Sequence, residues 1–137
     1  MKYDPLKTPD AAGWLKTEEM ERLIAIENYH KKAGIVLPNI KVHCGVHVIV
    51  ENQLAEGFGP TVRALDRLMA GGLDRHDSAH AIGCIISNHF FSGLQSNAEK
   101  FDKDAYSADL NRLTAESWRE EYTDPDDDKD EEDDFTV

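Results

Sequence analysis

The sequence predicts an all-α protein, a compact helical bundle of four to five helices that ends in a disordered acidic C-terminal tail. Three observations predict this: apolar residues recur at intervals of three and four, glycine and proline separate these stretches, and the last residues are mostly charged. With 137 residues, 40% hydrophobic and 31% charged, the chain suits one globular domain. We therefore expect a helical domain at residues 1–123 and a tail at residues 124–137.

The first predicted helix follows a proline-containing lead-in and continues to about Lys32. Its apolar stripe includes Trp14, Leu23 and Ile26, and the glycine that follows is a natural stop. Thr17 is an alternative N-cap, because two glutamates follow it in what would be a first turn.

Residues 40–56 are ambiguous between a strand and a helix. Valines at every second position are typical of a strand, whereas a length of 17 residues without a turn signal favours a helix. We predict a helix with Asn39 as its N-cap. The choice matters for function, because on a strand His43 and His47 would lie about 13 Å apart.

Three more helices are predicted from the remaining pattern. The third, residues 59–71, has proline in its first turn and a glycine pair at its end. The fourth begins after Asp74 and ends near residue 94. The fifth, residues 105–122, is amphipathic and precedes the acidic tail.

The negative charge of the sequence excludes two classes of binding partner. The net charge is −12, and residues 124–134 hold nine acids and one lysine, which leaves −4 for the rest. Neither part has the basic surface that nucleic acid needs, and an anionic membrane surface would repel both. A run of this acidity is expected to stay disordered.

The cellular location of the protein is predicted from features that the sequence lacks. No apolar run reaches the 18 to 20 residues of a membrane span, and the first residues do not resemble a secretory signal. Two cysteines are too few for a secreted disulfide scaffold, so we expect Cys44 and Cys84 to be buried, reduced thiols. These features predict a cytoplasmic protein of bacterial type.

Two histidine pairs indicate a metal site. His43 and His47 are four residues apart, and so are His76 and His80. Residues four apart share one face of a helix, with Cβ atoms about 5–6 Å from each other. Two imidazoles can then reach one ion at 2.0–2.1 Å. Two such helices side by side would supply four nitrogens, and zinc or iron is predicted because imidazole suits both.

Other polar residues near these pairs are candidates for the same site. Glu51, one turn after the first pair, would complete the ligand set as an oxygen donor. Glu27 and His30 have the Glu-x-x-His spacing of di-iron bundles and would bridge ions or orient ligands. Asp77 is either a first-turn helix acid or a group that orients a ligating imidazole.

Structural roles compete with the metal hypothesis. Taken singly, His30 and His89 are expected to hydrogen-bond a backbone carbonyl, as lone buried histidines do. Four buried imidazoles without a common partner would leave many polar atoms to satisfy, which favours a shared ion. We expect the small residues Gly45, Gly83 and Ser87 to let the two helices approach closely around the rings.

Three functions fit this pattern. A metal site with an open position would support hydrolysis, or oxygen chemistry if the ion is iron. A closed site would only stabilise the fold. The third function is that of a non-enzymatic interaction protein, whose helical surface and acidic tail bind a protein partner or a second copy of the chain.

Segments within residues 14–94 carry a family resemblance: Glu21-Arg22, Tyr29-His30, Leu37-Pro38-Asn39, residues 47–54, Arg67-Leu68-Met69 and residues 73–83. In this order they resemble a family of small bacterial proteins classed as domains of unknown function. The resemblance implies a compact helical domain and no established activity. Its matching polar residues are His47, Glu51, His76 and His80, while His43 and Cys84 match less clearly.

Overall fold

A computed structural model of the protein describes residues 1–95 and 101–122, with side chains placed for residues 1–90 and 101–121. Every regular element in this part is an α-helix, which confirms the predicted class. The helices are α1 (Ala11–Lys16), α2 (Glu19–Lys32), α3 (Ile40–Ala55), α4 (Gly59–Ala70), α5 (Arg75–Gln95), α6 (Lys103–Arg112) and α7 (Ala115–Tyr122). The prediction for the acidic tail, residues 124–137, lies outside the described residues.

The described residues form seven helices, more than the predicted four to five, because two predicted helices are broken. The first break is at Thr17 and Glu18, whose backbones are extended. The hydroxyl of Thr17 donates to the carbonyl of Gly13 at 2.8 Å. Thr17 therefore closes α1, and Glu18 is the N-cap of α2.

The second break separates α6 from α7 at Leu113 and Thr114. Leu113 is extended and buried, so the chain turns inward there. Thr114 and Ser117 then form a reciprocal cap, since each backbone N–H donates to the other's hydroxyl at 3.0 Å. This pairing starts α7 in the manner of a capping box, with serine in place of the usual glutamate.

Helix α3 settles the ambiguous segment in favour of a helix. It lies at the centre of the domain and contacts α1, α2, α4 and α5. Apolar residues at every second position fall on all sides of a helix, and here each side meets a neighbour, so Cys44, Val46, Val48 and Val50 are all buried. The side chain of Asn39 makes no capping hydrogen bond.

Two apolar clusters flank α3. The larger one, called the apolar core, lies among α3 to α7 and includes the fully buried Leu68, Ile82 and Leu110. The smaller one joins the N-terminal segment to α1, α2 and α3 around Trp14 and Ile26. In the described part of the chain, no helix is long and apolar enough to cross a membrane.

Candidate metal centre

Five of the six histidines lie together between α2, α3 and α5, and we call them the histidine cluster. Helix α2 contributes His30, α3 contributes His43 and His47, and α5 contributes His76 and His80. The three from α2 and α3 are each 1% exposed, His80 is 6% exposed and His76 is half-buried. The two predicted pairs therefore converge, and they do so inside the domain.

The rings of the cluster are in contact from one end to the other. Ring centroids lie 4.9 Å apart for His30 and His43, 4.8 Å for His43 and His47, 5.0 Å for His47 and His80, and 4.6 Å for His76 and His80. His47 lies at the centre of this series of rings. His30 and His43 lie on one side of it, and His76 and His80 lie on the other.

Two overlapping sets of three histidines could each hold a metal ion. His30, His43 and His47 form the inner group, and His47, His76 and His80 form the outer group. Within each group the ligand atoms lie within 4.8 Å of one another. The Nε2 atoms of His43 and His47 are 3.2 Å apart, close to the roughly 3.3 Å between two nitrogens on one tetrahedral zinc.

His30 has its ring orientation fixed by the backbone. Its Nδ1 lies 2.8 Å from the carbonyl oxygen of Ile26, which can only accept, so Nδ1 carries the proton. Burial lowers the pKa of His30, so the ring is neutral and its Nε2 has a free lone pair. This Nε2 is buried and has no hydrogen-bond partner, and the same holds for Nε2 of His76. The expected backbone bond of His30 is confirmed, and the bond aligns the ring as it would a metal ligand.

Burial also favours the neutral form of His43, His47 and His76. It lowers the pKa of His43 to about 2, with further lowering by neighbouring His80, His30 and His76. Desolvation lowers the pKa of His76 to about 4 and that of His47 well below its ordinary value. Neutral imidazole is the form that binds metals, so at neutral pH an ion would displace no proton from these lone pairs.

Glu51, predicted as an oxygen ligand, lies outside both groups. Its two oxygens accept from Arg75, Oε1 from Nη2 at 2.7 Å and Oε2 from Nη1 at 2.8 Å. The hydroxyl of Tyr3 donates to Oε2 at 2.5 Å. All three side chains are buried. The carboxylate therefore ties α3 to α5 and to the N-terminal segment beside the histidine cluster.

Other predicted residues also lie apart from the two groups. The carboxylate of Glu27 is 3.6 Å from Nζ of Lys41. Asp77 stands in the first turn of α5, where its backbone N–H donates to the side chain of Asp74 at 2.7 Å. His89 pairs with the carboxylate of Asp109 at 2.6 Å, not with the expected backbone carbonyl. None of these three belongs to either group.

Gly45 does not have the role that the sequence predicted. A Cβ atom built on this residue would meet no atom within 4 Å, so α5 does not approach the backbone of α3 there. Contacts between the histidine rings, the Arg75–Glu51 ion pair and the apolar core, to which both helices contribute, join α3 and α5.

Sequence reasoning missed Arg75 and Tyr29. Arg75 directly precedes His76, and its partner Glu51 follows His47 by one turn, so opposite charges at matching places on two helices could have revealed the pair. Tyr29 packs the edge of its ring on His30 and His76, at 5.3 and 5.9 Å between centroids. It has no distinctive spacing that would have identified it.

No protein-family model, no curated protein and no solved structure matches this chain.

Proposed function

We propose that the protein binds a zinc or iron ion in the histidine cluster, with His47 as the central ligand. The observation that carries this proposal is that each group of three contains a buried Nε2 without a hydrogen-bond partner, from His30 in one and His76 in the other. A buried polar nitrogen without a partner destabilises the fold by about 1–3 kcal/mol. An ion would satisfy both the nitrogen and the lone pairs around it.

The ligand type favours these two metals. Imidazole nitrogen is a ligand of intermediate softness that suits zinc and iron, whereas calcium and magnesium prefer oxygen. Neither group of three includes a carboxylate or a thiolate. Because neutral ligands leave the full charge on the ion, the bound metal would be a strong Lewis acid.

Three nitrogens around a tetrahedral ion leave one position for water, as in catalytic zinc sites. The outer group suits such chemistry better, since its His76 is half-buried while the inner group is enclosed. We propose metal-dependent hydrolysis if the ion is zinc and oxygen-linked chemistry if it is iron. A fully enclosed ion without a water ligand would instead have a structural role.

The family resemblance supports the outer group as the site of the proposed ion. We propose that the chain belongs to the family of small bacterial domains of unknown function that it resembles. Three of the four polar residues that carry the resemblance, His47, His76 and His80, make up the outer group.

Metal analysis of untagged protein, with cobalt(II) as a spectroscopic probe, tests the proposal. We expect zinc or iron in purified wild type, and visible absorption from tetrahedral cobalt after exchange. His47→Ala should lose both signals because His47 belongs to both groups. His89→Ala is the matched control, since His89 lies on the same α5 helix outside the cluster.

Comparing His30→Ala with His76→Ala assigns the ion to the inner or the outer group. If wild type neither retains nor takes up metal, or if His47→Ala keeps its metal, the proposal is wrong. The interaction-protein hypothesis, with a protein partner or a second copy of the chain, would then lead.

A further inference from the structure

The five rings of the histidine cluster form two separate ligand sets. His43, His47 and His80 also touch one another, with ring centroids 4.8, 4.9 and 5.0 Å apart. Among the described residues, however, the sets whose ligand atoms all lie within 4.8 Å of one another are the inner and outer groups, and this middle set is not one of them. The nitrogens of His43 and His80 therefore serve different places, and the cluster has two positions for an ion.

One ion cannot satisfy both groups. His30 in the inner group and His76 in the outer group each have a buried Nε2 without a hydrogen-bond partner. An ion in the outer group, the position favoured above, would pair with His76 and leave Nε2 of His30 as it is. Buried polar atoms are almost always paired, so the inner group still requires a partner of its own.

His47 can serve both positions because its ring has two nitrogens. Its Nε2 lies 3.2 Å from Nε2 of His43, a member of the inner group. Its Nδ1 is also buried, and the lone pair of that nitrogen points to another side of the ring. We propose that the histidine cluster is a two-ion centre, in which His47 binds the inner ion through Nε2 and the outer ion through Nδ1. This inference rests on the proposed function, since the outer ion is the one proposed there.

The shared ring has to lose its proton. A neutral imidazole carries one N–H and one lone pair, so the second ion displaces this proton to solvent and binds the lone pair that is left. No electron is transferred. The resulting anionic ring offsets one positive charge of the two ions, in two groups that include no carboxylate and no thiolate.

The outer position should fill first. Burial and two neighbouring histidines lower the pKa of His76, whereas the carboxylates of Asp74 and Asp4 act on it in the opposite direction and so favour a cation there. The three histidines of the inner group are each 1% exposed, so an ion that binds them gives up its surrounding water. Purified protein should therefore retain one ion, and the second should bind only when metal is added.

Titration of metal-free protein with cobalt(II) tests the two-ion centre. We expect two cobalt ions per chain, bound in two steps. The electron paramagnetic resonance signal of cobalt should rise during the first step and fall during the second, because two ions on one imidazole ring couple antiferromagnetically. His30→Ala removes a nitrogen of the inner group alone, so it should bind one ion with the affinity of the first step and keep the uncoupled signal.

His76→Ala provides a second variant at a half-buried position, in case the buried His30 cannot be replaced without unfolding. It should weaken the first step at least about tenfold, the effect of losing even a group that only orients a ligand. At high cobalt it should bind one ion, with an uncoupled signal. Far-UV circular dichroism checks that each variant is folded.

His89→Ala is the matched control, because His89 lies on α5 outside both groups. It should bind two ions and give the coupled signal of wild type. Saturation of wild type at one cobalt per chain would overturn the two-ion centre and leave the proposed function intact. Two uncoupled ions would overturn the shared role of His47, and a chain that binds no cobalt would overturn both proposals.

Discussion

The apolar core and the histidine cluster are buried to the same degree and stabilised in different ways. Leu68 is fully buried and His47 is 1% exposed. Leu68 packs within a cluster of buried apolar side chains, so burial itself is favourable. Around His47 the neighbours are other imidazoles, and the buried Nε2 atoms of His30 and His76 lack hydrogen-bond partners. Equal burial is therefore favourable in the apolar core and leaves buried nitrogens without partners in the histidine cluster.

Lowering the pH should produce the largest difference between the two regions in their contribution to the free energy of unfolding. Four cluster histidines have lowered pKa values in the folded protein, so the unfolded chain binds more protons below its ordinary histidine pKa of about 6.5. Their contribution to stability is complete above pH 6.5 and decreases as the pH falls toward 4. Each group accounts for about 1 kcal/mol per pH unit.

The measurement is the free energy of unfolding of metal-free protein by urea at pH 7.5, 6.5 and 5.5. We expect a loss of several kcal/mol, and the loss should shrink in His43→Gln, which cannot take up that proton. A free energy that stays flat between pH 6.5 and 5.5 would contradict the neutral histidine cluster.

Removing apolar packing should have the next largest effect. Leu68→Ala deletes three carbons at a fully buried site of the apolar core, and such changes lower the unfolding free energy by about 2–5 kcal/mol. Because Leu68 lies in the apolar core and not in the histidine cluster, Leu68→Ala should lower the unfolding free energy equally at pH 7.5 and pH 5.5, with or without metal. A loss that varies with metal would show that the two regions are coupled.

Adding metal should stabilise the protein through the histidine cluster, whereas acid should destabilise it there. At a free zinc or iron(II) concentration 100 times its dissociation constant, the folded state gains about 2.7 kcal/mol. Thermal unfolding should therefore shift upward in wild type and in Leu68→Ala, and return on addition of chelator. His80→Ala, which removes one of the three nitrogens proposed as ligands in the outer group, should abolish both the metal content and the chelator effect.

Two tyrosine substitutions should give the smallest difference in unfolding free energy between the two regions. Tyr3→Phe removes a donor to the charged Glu51 beside the cluster, and Tyr106→Phe removes a donor to the neutral amide of Gln53 at 2.6 Å. Hydrogen bonds to charged groups contribute about 1.5–3 kcal/mol and neutral ones about 0.5–1.5. Urea unfolding should show the larger loss for Tyr3→Phe, and equal losses would mean that Arg75 alone satisfies the carboxylate.

Periodicity predicted most of the fold. The helices from residue 40 to residue 95 begin and end close to where the sequence places them, because glycine and proline fix those ends locally. The break at Leu113 was missed, and the break at Thr17 was predicted only as an alternative, because each depends on a hydrogen bond or a buried turn that the apolar pattern does not encode.

The candidate site was predictable only in part, and for a related reason. Spacing within one helix places His43 beside His47 and His76 beside His80, since four residues make about one turn. Spacing contains no information on which groups on different helices meet. His30 was therefore expected only to bridge ions or orient ligands, and it lies in one of the two groups of three. Glu51 was predicted to be a ligand, but its partners are Arg75 and Tyr3.

The bond from Nη1 of Arg75 to the carbonyl of Pro5, at 3.1 Å, has a consequence for biosynthesis. Pro5 leaves the ribosome before Arg75, and 70 residues separate the two. At 5–20 residues per second, roughly 4–14 seconds separate the synthesis of the two partners. His76 follows Arg75 immediately, so this bond becomes possible only when the first histidine of α5 has also been made. The segment around Pro5 therefore has to wait for α5 before this contact can form.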